Sequence, residues 1–338
     1  MASTALQRAR SQDVAPTSGW SLEDVLLRFV NSQDVAPSSR RTYLRSVKQF
    51  FRWVQEKGLQ LDQLTRVDVL RYREDLLSQG MSSLTVSGYL TSVRRFYAWA
   101  EAEKLYPNIG RDVKGPKRKQ QFRKQPLSTE KAKELLSSVP VEVVEQPLDH
   151  GDPEKVLPYQ DPQALRDRAI VHLLLRTGLR TVEVVRANVE DVTYKGSTRV
   201  LLVHGKGRSE KDQFVILTDK AYQPVADYLA TRGKVKDGEP LFTSSSNNNR
   251  GGRLTTRTVS GIAKDHLRRV GLDSREYTAH SLRHTTAVTI MRAGGSIEDT
   301  QHVLRHSSPA TTQIYTATIK EELRLRNSTE SLLDAAFA

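Results

Sequence analysis

A mainly α-helical protein of two domains, with one small antiparallel sheet, is what this sequence predicts, on three observations. Apolar residues recur at helical spacing from Trp20 onwards and again from Leu127. Only two short runs, Val200–Val203 and Gln213–Leu217, are convincingly rich in β-forming residues. A basic stretch broken by Gly115-Pro116, residues 110–126, separates the two helical blocks. With 338 residues the chain can bury two ordinary cores.

Charge narrows the partner. Lys and Arg number 52 against 39 Asp and Glu, a formal net charge of +13, which suits a polyanion whose counterions are released on binding. The absence of cysteine excludes disulfides, Cys-ligated zinc and thiol catalysis. No signal peptide is recognisable, and no apolar run reaches the roughly 18 residues a membrane span needs. A soluble, cytoplasmic protein with no membrane partner is expected.

Residues 1–19 lack periodicity and read as a flexible leader. Residues 20–109 read as a helical domain of four helices. Ser21 caps the first, with Glu23 and Asp24 in its opening turn. Pro37 starts the second, whose Tyr43, Leu44, Val47, Phe50, Phe51 and Val54 face a core, while Arg41, Arg45, Lys48 and Arg52 recur at steps of four, three and four on the other side. This stripe carries no acid before Glu56, which favours phosphate contact over a plain solvated face. A third helix runs from Arg66 to about Gln79, and a fourth starts at Ser82-Ser83 and offers Arg94 and Arg95 at its surface. Gly110 to Gln125 then holds seven basic residues and one acid, Lys117, Arg118 and Lys119 among them. It reads as an extended linker lying on a phosphate backbone, with a nuclear-type basic signal as the alternative.

Residues 127–338 form the second domain. Ser128 caps its first helix, residues 140–163 read as an acidic surface insertion with little periodicity, and a strongly apolar helix from Arg166 ends at Thr177-Gly178-Leu179-Arg180. Glu183 follows one turn later. The two β-rich runs make a hairpin with Lys206 near its tip, and an ammonium there is suited to protonating a departing alkoxide. The stretch from His280 to Tyr315 holds His280, Arg283, His306 and Tyr315 at fixed offsets in what reads as continuous helix. His280 and Arg283 are three apart and can address one phosphoryl group. Zinc on His280 and His284 is disfavoured because Ser281 stands where the helical zinc motif needs Glu. His284 reads as structural. Tyrosine is a poor nucleophile unless a base or cations assist it, and cations are present here.

Taken in order, Arg180 in Thr-Gly-Leu-Arg, Glu183, Lys206 in Gly-Lys-Gly, His280 and Arg283 in His-x-x-Arg, His306 in Leu-x-His, and Tyr315 resemble the catalytic signature of the tyrosine recombinases, the family of phage-type integrases and Xer recombinases. The resemblance implies a C-shaped clamp on double-stranded DNA, built from a SAM-like core-binding domain and a catalytic domain. It implies site-specific recombination through a 3′-phosphotyrosyl link made by Tyr315. Arg180, Arg283 and His306 would stabilise the phosphate charge, Lys206 would protonate the leaving oxygen, His280 would assist proton transfer and Glu183 would support Arg180. No cofactor and no metal is required. The implied partners are paired inverted half-sites and a homotetramer on synapsed DNA, with a monomer in free solution and an association with the nucleoid.

Three features depart from the family pattern. Arg305 stands where members often carry Gly, the 140–163 insertion is longer than a minimal Xer catalytic domain needs, and the leader is too short for a separate arm-binding domain, so a simple recombination site is expected. A type IB topoisomerase shares the tyrosyl chemistry, but the helical amino domain and short length speak against it. The full set of seven residues speaks against a catalytically idle DNA-binding protein. The helical, apolar-ending tail after Tyr315 either docks on a neighbouring subunit or folds onto its own domain.

Overall fold

The computed structural model describes residues 21–117, 125–138, 143–146, 157–204, 210–306, 319 and 336–337. Its contacts divide the chain into two units, Met1–Gln120 and Gln121–Ala338.

Among its described residues the amino unit has four α-helices. α1 (Leu22–Ser32) opens on a reciprocal cap in which Ser21 Oγ accepts from Asp24 N and Asp24 accepts from Ser21 N, satisfying two N–H groups that a helix start leaves unpaired. α2 (Pro37–Glu56) starts on proline, whose fixed φ and missing N–H suit the first turn. α3 (Arg66–Ser78) has the same reciprocal cap from Thr65 and Asp68, and α4 (Ser83–Ala102) is capped by Ser82. Their apolar faces meet in an aromatic core, with Phe29 and Phe51 each edge-on to Phe96 at 5.3 and 5.2 Å and Phe50 edge-on to Tyr72 at 5.1 Å. Each such pair adds about 1 kcal/mol beyond the area it buries.

The basic segment beyond α4 does not begin as an extended tether. Val113 is fully buried in this core, and Arg66, Arg73 and Arg94 donate to the carbonyls of Asp112, Lys114 and Val113. A Cβ at Gly115 would come within 2.9 Å of Ser87 Oγ, so glycine lets the backbone lie against α4. The apolar Val113 and the three arginines outweigh the Gly-Pro break, and through Gly115 the segment packs as part of the amino unit.

The second unit starts with α5 (Thr129–Ser137), capped by Ser128 as expected. The stretch read as an acidic surface insertion with little periodicity contains an antiparallel pair, β1 (Val143–Gln146) with β2 (Leu157–Gln160), in which Val143 pairs with Gln160. α6 (Pro162–Thr177) begins four residues before the expected Arg166, because Asp161 accepts from Gln163 N and Ala164 N and Pro162 occupies the first position. α6 is buried along much of its length, with Ala169, Ile170, Val171, Leu173 and Leu174 in the core. α7 (Thr181–Arg186) follows.

The sheet has three strands in the order β3 (Val192–Lys195), β4 (Thr198–Val203) and β5 (Gln213–Ile216), all antiparallel. The sequence reading found β4 and β5 but missed β3. α8 (Asp219–Thr231) packs along α6, and α9 (Thr256–Arg269) on α6 and α7. The helix read as continuous from His280 is two helices, α10 (Ala279–Arg292) and α11 (Ile297–Leu304). Gly294, at φ +93°, and Gly295 break it, and Ser296 recaps the chain with Asp299. Among the described residues no helix is long and apolar enough to cross a membrane.

Candidate active site

Gly178 closes α6 in the left-handed conformation at φ +62°, and Leu304 and Thr286 fill the space a Cβ would need. The turn delivers Arg180 to the cap position of α7. Arg180 N and Nη1 donate to Glu183 Oε2 and Oε1 at 2.8 and 2.6 Å, so the carboxylate caps the helix and orients the guanidinium together. The Glu183 side chain is 2% exposed.

Arg283, on α10, is 2% exposed and donates Nη1 to the Gly178 carbonyl and Nη2 to the Leu304 carbonyl. These carbonyls end α6 and α11, so the buried cation sits at the negative ends of two helices. Arg180, His280 and Arg283, with Thr181, Ser260 and Thr278, line one cleft of about 350 Å³. His280 is exposed in the first turn of α10, and its ring meets that of His284 edge-on at 4.4 Å.

His306 lines a second hollow, of about 510 Å³, with Arg305, His302, Glu298 and Gln301. Its N–H donates to the Gln301 carbonyl, and Gln301 Nε2 donates back to the His306 carbonyl. Burial, reinforced by Arg283, Arg180 and Arg305, pushes the His306 imidazole down to about 4. Burial, then His280 and Arg283, pushes His284 down to about 3. Both rings are therefore neutral near neutral pH. Burial alone would raise the Glu183 carboxyl, but Arg305 and then Arg180 outweigh it and hold the group below its ordinary value.

Arg305 is the residue whose structural part sequence reasoning missed. The sequence marks it only as a departure from the family's usual Gly. It holds φ +54°, its side chain is 5% exposed, and Nη2 meets Glu183 Oε2 at 2.8 Å. A long residue where glycine is usual, beside a histidine of the signature, was the available signal.

Lys206 and Tyr315 lie outside the described residues. The pairing of Val203 with Gln213 brackets the connection that carries Lys206, and Lys211 Nζ grips both oxygens of buried Asp191 at 2.6 and 2.8 Å near its foot. Neither Lys211 nor Asp191 was singled out from sequence. Among the described residues no three His, Asp or Glu side chains gather as metal ligands.

On the amino unit, Arg41, Arg45, Lys48 and Arg52 are all exposed along α2, Lys48 pairing with Glu23 at 3.2 Å. Arg95 is exposed and stands 5.4 Å over the Tyr43 ring. Arg94 differs from this set. It is half-buried, and its guanidinium is turned to the Leu90 and Val113 carbonyls and Thr91 Oγ1, because the segment folding back over α4 needs a donor there. Lys117 is exposed, while Arg118 and Lys119 lie outside the described residues.

Residues 144–322 match the phage integrase family, and residues 26–104 match its N-terminal SAM-like domain. Tyrosine recombinase XerC of Leptospira interrogans is 30% identical over 316 residues, covering 91% of this chain and 93% of that protein. Tyrosine recombinase XerD of Corynebacterium glutamicum is 30% identical over 309 residues, covering 88% and 93%. Similar folds occur in the XerH site-specific recombinase bound to a palindromic difH substrate, at TM-score 0.69 and 19% identity over 92% of this chain and 85% of that one. A lambda integrase dimer bound to a COC′ core site gives TM-score 0.62 and 18% identity over 93% and 83%. Carrying both family domains and related to full-length Xer proteins over nine-tenths of its length, the chain belongs to the phage integrase family and is a tyrosine recombinase.

Proposed function

We propose that this chain cuts and rejoins double-stranded DNA at specific sites, with Tyr315 as nucleophile. The Tyr315 oxygen forms a bond to the scissile phosphorus while the bond from phosphorus to the 5′-oxygen breaks. The product is a 3′-phosphotyrosyl link and a free 5′-hydroxyl. The tyrosine proton leaves with the help of His280, and Lys206 protonates the departing 5′-oxygen. Arg180, Arg283 and His306 stabilise charge on the non-bridging oxygens, and Glu183 orients Arg180. Attack by the hydroxyl of another strand reverses the chemistry. Phosphodiester energy is held in the tyrosyl bond, so neither ATP nor metal enters the scheme.

The observation that carries this reading is the cleft that gathers Arg180 and Arg283 beside His280. Two guanidiniums held by carbonyls and a buried carboxylate form a preorganised cradle for a tetrahedral oxyanion. We assign core binding to residues 20–109, phosphate contact to the basic segment 110–126 and catalysis to residues 127–338. Arg41, Arg45, Lys48, Arg52, Arg95 and Lys117 are the proposed backbone contacts, with Arg118 and Lys119 beside them. The working form is a homotetramer on two synapsed sites, each of paired inverted half-sites, acting on DNA in the cytoplasm.

The test is a nicked suicide duplex carrying the site recovered by selection from random DNA. Wild-type protein should give a detergent-stable adduct and Tyr315→Phe none. No adduct from wild-type protein on that site would overturn the reading.

A further inference from the structure

Where the tyrosine recombinase signature leaves a small residue, this chain places a buried guanidinium, and its contacts give it a task. We propose that Arg305 is a positioning residue for strand cleavage, clasping Arg180 against Glu183 so that Arg180 keeps its aim and its positive charge for the scissile phosphate. The proposal rests on the assignment of Arg180 as a phosphate ligand.

The clasp closes on itself. Glu183 Oε1 accepts from Arg180 Nη1 at 2.6 Å, and Glu183 Oε2 accepts from both Arg180 N and Arg305 Nη2 at 2.8 Å. Arg305 Nη1 donates to the Val303 carbonyl at 2.7 Å, fixing the guanidinium over the end of its own helix. The Arg305 carbonyl then accepts from Arg180 Nη2 at 3.4 Å. Arg180 is therefore held through its backbone, one terminal nitrogen and the other, and two of the three holds depend on the carboxylate that Arg305 shares.

Two facts mark Arg305 as fitted to this place. Its backbone lies in the left-handed region, φ +54° and ψ +49°, which a long side chain rarely adopts unless other contacts offset the strain. Its side chain is 5% exposed against the 2% of Glu183, so the pair is buried. A carboxylate bonded to Arg180 alone would cancel its charge and compete with the substrate for its donors. Shared between two guanidiniums, the same carboxylate leaves the cluster with a net positive charge where the phosphate arrives. Among the described residues, the other charged or titratable groups near it are His306, which also feels Arg283 and His280 of α10, and Asp212, Glu298 and His302, which line the hollow Arg305 borders.

The experiment compares wild-type protein with Arg305→Gly, Arg305→Lys, Glu183→Gln and the double variant Glu183→Gln/Arg305→Gly. Adduct formation on the suicide duplex is followed across pH, with single-site DNA binding and urea unfolding measured alongside. Glycine relieves the left-handed strain, so Arg305→Gly should fold and bind DNA, yet form adduct about tenfold more slowly or worse. Its acid limb should move to higher pH, because Glu183 loses the cation that holds its proton off, and Arg305→Lys should recover part of the rate. Glu183→Gln strands Arg305 as a buried cation without its counter-ion, so the double variant should be more active and more stable than Glu183→Gln alone. Wild-type rate and pH profile in Arg305→Gly would overturn the proposal. If wild-type protein forms no Tyr315 adduct, the recombinase mechanism itself fails, and additive urea unfolding across wild type, Arg305→Gly, Glu183→Gln and the double variant would separately dispose of the clasp.

Discussion

Arg283 shows how a full charge is kept inside this protein. Its guanidinium bridges the carbonyl ends of α6 and α11, so the same residue locks two helices and lines the cleft. Arg283→Ala should therefore lower both stability, by about 3 kcal/mol from stranded buried carbonyls, and cleavage. Arg180→Ala, at a half-exposed position, should chiefly lower cleavage, by about 10²- to 10³-fold as for loss of one oxyanion donor. Single-turnover cleavage and urea unfolding of the two variants separate these outcomes, and equal losses of stability would contradict the distinction. The histidines add a pH dependence. His306 and His284 have folded values of about 4 and about 3, below the ordinary 6.5, so the unfolded chain binds more protons between those values. Their contribution is present above the ordinary histidine value and lost as pH falls towards the folded ones. The melting temperature should drop across that window, and His284→Phe should flatten the drop.

At the scale of elements, Gly178 sets the angle between α6 and the Arg180 turn. Gly178→Ala combines a left-handed backbone with a clash against Leu304, and should cost about 1–3 kcal/mol and loosen Arg180. Thermal melts and cleavage rates should fall together in that variant. Helix starts were legible in the sequence because a cap is a local device: Ser21, Ser82 and Ser128 bond residues three positions on. The Glu183–Arg305 pair was not, since its partners are 122 residues apart and meet only through the fold. β3 was missed although Val192-Thr193-Tyr194 is rich in β-formers, because four residues before a two-residue turn carry too little period to stand out. The short pair β1–β2 sits in a proline- and acid-rich stretch whose composition hides it. The α2 stripe was legible because its spacing alone puts the four cations on one side. Neutralising Arg41 and Arg45 should weaken DNA binding across sequences alike and flatten its salt dependence by about one to two units of slope. An unchanged slope would remove the stripe from the interface.

For the whole molecule, a net charge of +13 and a basic segment between the two units suit a polyanionic partner. The recombination scheme also needs subunits to meet on DNA. Deleting residues 327–338 should leave single-site binding intact and weaken synapsis, read by gel shift and by two-site recombination. Full recombination by the truncated protein would argue that the tail serves only its own domain. The central claim, that Tyr315 carries the broken strand through a 3′-phosphate without metal or nucleotide, has its most direct test in the polarity of the covalent adduct. A suicide duplex labelled on either side of the scissile bond, reacted in chelator without ATP, should yield a detergent-stable complex carrying only the label 5′ to the break, joined to the Tyr315 peptide, with a free 5′-hydroxyl on the released strand. An adduct through a 5′-phosphate, or one that survives Tyr315→Phe, would contradict it.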